Sequence, residues 1–88
     1  MDELIARVSR VLQERFPGAE PALAPVPLGE RAGGFLVWDG FDGVPQRERQ
    51  RMIWDTLRAR LAREDQQRVT AILTLTPVEQ DDILDPAA

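Results

Sequence analysis

The 88-residue chain contains no cysteine, no histidine, no tyrosine and no lysine, and Ser9 is its single serine. Each absence removes a class of chemistry. Without cysteine, one chain can build no disulfide, thiolate zinc site or cysteine-held iron–sulfur cluster. Without histidine there is no Ser-His-Asp triad. No apolar run approaches the roughly 18 residues of a membrane span. Met1 is not followed by a charged-then-apolar leader, so the expected location is the cytoplasm.

What is present is ordinary in bulk and uneven in detail. Hydrophobic residues make up 43% and charged residues 30%, which places the chain among globular domains rather than disordered ones. A chain this short buries only roughly 60–65% of its unfolded surface. One thin core over residues 1–88 is therefore expected, with no room for an enclosed, multi-part active site. The net charge of −4 disfavours non-specific binding to nucleic acid or anionic membrane. All eleven bases are arginine. Codon bias in a GC-rich genome is the plainer explanation, and selection for planar, bidentate anion recognition the sharper one.

Along the chain, Asp2 to Phe16 has helical periodicity: Leu4, Ile5, Val8, Val11, Leu12 and Phe16 share one side. Asp2 and Glu3 suit its first turn, and Pro17-Gly18 stops it. Pro21, Pro25 and Pro27 permit only a short edge strand, expected over Leu23 to Leu28. Gly29 to Gly34 is an expected exposed loop. Phe35-Leu36-Val37-Trp38 is an expected buried strand, followed by an Asp39–Gly43 turn. Gln46 to about Arg63 is an expected helix with Ile53, Trp54, Leu57 and Leu61 as its apolar face, and Gln50 extends that face by one turn. Glu64 to Gln67 is a connection. Arg68 to Thr76 is an expected strand burying Val69, Ala71, Leu73 and Leu75. Thr70, Ile72 and Thr74 would then face outward, beside either Phe35/Val37 or Leu36/Trp38. A short helical turn over Val78 to Leu84 and a frayed tail at 85–88 complete the chain. The expected fold is α+β, order α-β-β-α-β-α: two layers, with a small three-stranded mixed sheet packed on helices. Three strands cannot hide both sheet faces, so a partly apolar open face is expected, and with it a monomer or weak homodimer.

Phe41-Asp42-Gly43, then Arg49-Gln50-Arg51-Met52-Ile53-Trp54 and Leu57, resembles the signature of the BolA family: Phe-x-Gly, five residues, Arg-His-Arg, two aliphatic residues, an aromatic and a leucine. Thr74-Leu75-Thr76-Pro77-Val78-Glu79 is similar to the family's Thr-x-Thr-Pro-x-Glu ending. The match covers about residues 34–79. The resemblance implies a fold similar to the type II KH domain. It also implies a small regulatory role linked to stress response, transcription or iron–sulfur handling, with a monothiol glutaredoxin as partner. The family's histidine between the two arginines is Gln50 here. No second histidine stands near Arg68 or Thr70, and the Gly29–Gly34 loop has no soft ligand. Glutamine is a poor substitute for imidazole, so iron–sulfur ligation is expected to be lost. No cofactor and no metal is expected.

The candidate partner-binding residues are Arg31, Arg47, Arg49, Gln50 and Arg51. Three arginines in the first turns of a helix oppose its macrodipole, which hints at a use beyond architecture. A solvated face paired with Glu48 and Asp55 is the plainer reading. Asp39 and Asp42 flank a Gly-rich turn and could hold Mg²⁺ or Ca²⁺, although turn formation alone accounts for both. Trp38 and Trp54 are expected in the core, with base stacking as the alternative. Three functions follow: a non-enzymatic BolA-like adaptor acting by protein contact; a KH-like nucleic-acid-binding module in transcriptional regulation; and, with the least support, a carboxylate hydrolase. The Gly40-Phe41-Asp42-Gly43 turn is acidic and follows a strand, which counts against the second.

Overall fold

A computed structural model describes residues 1–26 and 29–84. Its elements are α1 (Asp2–Arg15), β1 (Glu20–Pro25), β2 (Ala32–Val37), α2 (Gln46–Arg60), α3 (Arg63–Gln67), β3 (Val69–Leu75) and α4 (Pro77–Leu84), with a 3-10 turn at Asp39–Phe41. The three strands form one sheet in the order β1-β2-β3. β1 and β2 are antiparallel, while β2 and β3 are parallel, joined through α2 as their crossover. The α+β class and the α-β-β-α-β-α order are those expected.

The core lies between one sheet face and the inner faces of α1 and α2. Leu4, Val8 and Leu12 from α1, with Phe16 just past its end, meet Ile53 and Leu57 from α2 and Leu36 and Ile72 from the sheet, all at most 1% exposed. Burying each such side chain contributes about 1.5–3 kcal/mol. Phe16, Trp38 and Phe41 close the end of this core, with ring centroids 5.1–5.8 Å apart. The Trp38 indole N–H donates to the Pro17 carbonyl at 2.9 Å, so its polar edge is satisfied.

Three boundaries differ from those the periodicity predicts. β1 occupies Glu20–Pro25 rather than Leu23 to Leu28; residues 27 and 28 of that expected strand, like the expected tail at 85–88, lie outside the described residues. β2 begins at Ala32, so Gly33 and Gly34 sit within a strand rather than a loop. Both are close-approach positions: a Cβ on Gly33 would lie 2.5 Å from Thr70 Oγ1, and one on Gly34 would run into the Ala22 carbonyl. The expected Gln46–Arg63 helix stops at Arg60 because Leu61 turns into the core in extended conformation. The connection then becomes α3, whose Gln66 side chain donates to the Leu61 carbonyl at 2.9 Å.

The face of β3 is the main correction. Val69, Ile72 and Thr74 are buried, whereas Ala71 and Leu73 are exposed. The register explains this. Ala32 pairs with Val69 and Gly34 with Ile72, so β3 advances three residues while β2 advances two. That bulge changes which alternate residues face the core. Thr74 tolerates burial because its hydroxyl donates to Gln46 Oε1 at 2.6 Å. The outer face carries Phe35 and Val37 with Leu73 and Leu75. Val37 is buried, yet lies outside the main core cluster. α4 folds across it: clefts lined by Val37, Pro77 and Gln80, and by Phe35, Leu75, Gln80 and Ile83, mark the contact.

Candidate functional site

The first two turns of α2 are polar on both sides, and the two sides do different things. β3 is an edge strand, so carbonyls on its outer edge need partners. Gln46 Nε2 donates to the Thr74 carbonyl at 3.0 Å, and Gln50 Nε2 to the Ile72 carbonyl at 2.8 Å. Arg49 Nη1 reaches the Thr74 carbonyl at 3.2 Å, while its Nε donates to the Val44 carbonyl at 2.7 Å. Positions 46, 49 and 50 share one helix face. That face is a row of amide and guanidinium donors that stands in for a neighbouring strand. Pro21 and Pro25 lack donors on the opposite edge strand, β1. Both edges of the sheet are thus managed against pairing with another chain.

Arg49 is 5% exposed. Its guanidinium also forms the ion pair of this site, with Nη1 at 2.7 Å from Glu79 Oε1 and Nη2 at 3.4 Å from Oε2. It lies over the Phe41 ring, 5.6 Å from the centroid. Glu79 in turn closes the start of α4. Its Oε1 accepts the Thr76 N–H at 2.7 Å, while Thr76 Oγ1 accepts the Glu79 N–H at 3.2 Å. This reciprocal pair is a capping box. The Arg49 guanidinium first, and the Thr76 N–H second, hold the Glu79 carboxyl below the usual carboxylate range.

The expected arginine patch is therefore divided. Arg49 is withdrawn from the surface, and Gln50 is half-buried on Ile72. Arg47 and Arg51 are exposed, with Arg51 3.8 Å from Glu48. Arg31 is exposed at the other end of the sheet. It precedes Ala32, which pairs with Val69, whereas Gln46 sits on Thr74. Five residues at about 3.3 Å each separate those levels by roughly 17 Å. Arg31 therefore does not join Arg47 and Arg51.

Asp39 and Asp42 line a cleft of about 270 Å³ with Thr76, Pro77 and Val78. Among the described residues no group of three His, Cys, Asp or Glu side chains converges as a metal ligand set would. Trp38 is half-buried in the aromatic cluster and Trp54 is half-buried against the core. No helix is long and apolar enough to cross a membrane among the described residues. Sequence reasoning missed the pairing of Arg49 with Glu79. The Thr-x-x-Glu spacing at Thr76–Glu79 was a readable signal for the cap; nothing local signals the guanidinium that joins it. No known protein family's model matches the chain, and no curated protein matches it.

Proposed function

We propose that the chain is a BolA-like scaffold, non-enzymatic, that works by contact with a protein partner and has lost iron–sulfur ligation. One observation carries this reading. The residues that bear the resemblance are dispersed in sequence, yet they meet around one guanidinium: Phe41 beneath Arg49, the Thr74 carbonyl beside it, and Glu79 against it, with Thr76 capping the same helix. A signature of this kind is architectural. It fixes α2 and α4 to the sheet and leaves exposed neighbours to do the recognising. Arg47 and Arg51 are those neighbours, and paired guanidinium groups suit a carboxylate-bearing protein surface. The amide nitrogen of Gln50, at the family's histidine position, is already committed to the Ile72 carbonyl.

The test is affinity purification from a host lysate with the wild-type chain and with Arg47→Glu/Arg51→Glu. A protein held by the wild type and lost from the variant, at unchanged thermal unfolding, is the expected result. Equal retention by both chains, or no specific retention by either, rejects the reading. Mixing with a monothiol glutaredoxin under iron–sulfur reconstitution is expected to yield no colour that depends on this chain; stable, stoichiometric colour would contradict the lost ligation. Filter binding at two salt concentrations addresses nucleic acid, where a salt-dependent affinity would favour the KH-like alternative.

A further inference from the structure

The two tryptophans end differently. The Trp38 indole N–H donates to the Pro17 carbonyl. The Trp54 indole N–H has no acceptor among the described residues, where no buried side-chain nitrogen lacks a partner. It therefore faces water, although the ring packs against the core. Arg47 and Arg51 stand seven and three positions before Trp54, and Arg58 four after it, so all three share its stripe of α2. All three are exposed. Among the described residues Arg47 has no carboxylate partner. Arg51 lies 3.8 Å from Glu48 and Arg58 lies 2.8 Å from Asp55. These are exposed pairs within the helix, weak and open to exchange. Glu48 and Asp55, themselves seven positions apart, form the neighbouring stripe on the outward side. On the other flank Gln50 is held by the Ile72 carbonyl of β3. Among the described residues the guanidinium groups lying over rings are those of Arg15 on Phe16 and Arg49 on Phe41, so none covers Trp54.

We propose that this stripe binds a short acidic segment of another protein, extended along α2, with an apolar side chain on the Trp54 ring and carboxylates on the three arginines. The inference rests on the partner reading above and specifies the partner's chemistry. From Arg47 to Arg58 the helix rises about 16.5 Å, which an extended chain covers in about five residues. Guanidinium groups take carboxylates through parallel N–H donors. Tryptophan beside arginine is the composition that anchors protein interfaces. Incoming carboxylates replace Glu48 and Asp55 at Arg51 and Arg58, so neither guanidinium is stripped of an acid by binding, and Arg47 gains one. The Trp54 N–H is free to donate to a carbonyl of the segment. Nucleic acid, the other polyanion, fits less well. The chain carries −4 overall, and the exposed Asp39 and Asp42 precede the helix at its Arg47 end. A phosphate chain that runs past the stripe on that side meets like charge, whereas a segment of the stripe's own length does not.

The experiment is an NMR titration of the full, isotope-labelled chain with the blocked peptide Glu-Glu-Leu-Glu-Glu, read from the two indole N–H resonances. The Trp54 resonance is expected to move and saturate, with a dissociation constant on the order of 1 mM. The Trp38 resonance, tied to Pro17, is expected to stay in place. Arg58→Gln, and glycine in place of the peptide's leucine, are each expected to weaken binding at least about twofold. Trp54→Leu is expected to weaken it at least about fivefold, read from the backbone amides of α2. If that variant loses its circular dichroism, the leucine and glycine peptides decide the role of the ring on the wild type. A Trp54 resonance that is still unmoved at about 10 mM peptide overturns the proposal. So do equal movement with Lys-Lys-Leu-Lys-Lys and equal binding of the leucine and glycine peptides. Tighter binding of a thymidine strand of about six nucleotides also overturns it and assigns the stripe to nucleic acid. A partner still captured by the wild type and lost from Arg47→Glu/Arg51→Glu, after the peptide has failed, would leave the contact reading standing and reject the acidic segment alone.

Discussion

Arg49 Nη1 lies 2.7 Å from Glu79 Oε1, across thirty positions of sequence, with the arginine side chain 6% exposed and the glutamate 41%. The asymmetry decides what each partner is worth. Glu79 keeps access to water, whereas Arg49 has surrendered hydration for the carbonyls of Val44 and Thr74 and the Glu79 carboxylate. Removing the arginine leaves the Thr74 and Val44 carbonyls with a lost partner inside the protein. Arg49→Ala is expected to cost about 2–3 kcal/mol, read as a fall in Tm of about 10–20 °C for a domain of this size. Arg51→Ala, at an exposed position, is expected to change Tm by no more than about 3 °C. Differential scanning calorimetry on the two variants checks the contrast, and equal effects would remove Arg49 from its structural role.

The same pair makes stability depend on acidity. Glu79 titrates below the usual carboxylate range in the folded chain because Arg49 and the Thr76 N–H stabilise its charged form. The unfolded carboxyl therefore binds its proton first as pH falls. The contribution is complete at neutral pH, erodes below the ordinary glutamate pKa, and is gone once the folded carboxyl is protonated. Glu79→Gln is expected to melt below the wild type at pH 7. The gap should close as pH is lowered towards about 2. A gap that is constant across that range would show that the carboxylate charge is not what matters.

Gly34 tests the close approach of β1 to β2. Its φ is +154°, and an added Cβ would strike the backbone carbonyl of Ala22, a group held in the antiparallel ladder. Gly34→Ala is expected to cost about 3 kcal/mol or more. Gly18, with φ +87° and open space where a Cβ would go, provides the comparison. Gly18→Ala strains only the backbone and is expected to cost about 1 kcal/mol. Urea unfolding of both variants distinguishes them; similar midpoints would mean that β1 moves aside at little cost.

Local signals were sufficient for the helices that bury a stripe. α1 needed only the recurrence of Leu4, Val8, Val11 and Leu12, and the apolar half of α2 only Ile53 and Leu57. The sheet was less legible. Val69, Ala71, Leu73 and Leu75 alternate as a buried face should, and the bulge opposite Gly33 overrules them. Thr74 looks like a surface residue until Gln46, on a remote helix, supplies its hydrogen bonds. The candidate site failed in the same way. Arg47, Arg49 and Arg51 look alike in the sequence, but helical geometry turns 49 inward with 46 and 50, and only the neighbouring strand edge makes an inward arginine tolerable.

The extra residue of β3 between Val69 and Ile72 has a consequence for how the strand can change over time. Before it Val69 faces the core; after it Ile72 and Thr74 do, while Leu73 and Leu75 face outward. Loss of one residue between Val69 and Ile72 would leave these two on the same face, in step with Ala32 and Gly34, so the ladder would close without turning either half over. A residue lost elsewhere in the strand would turn the side chains that follow it to the opposite face, so this is the one point of β3 where the count can fall by one and the core keep its members.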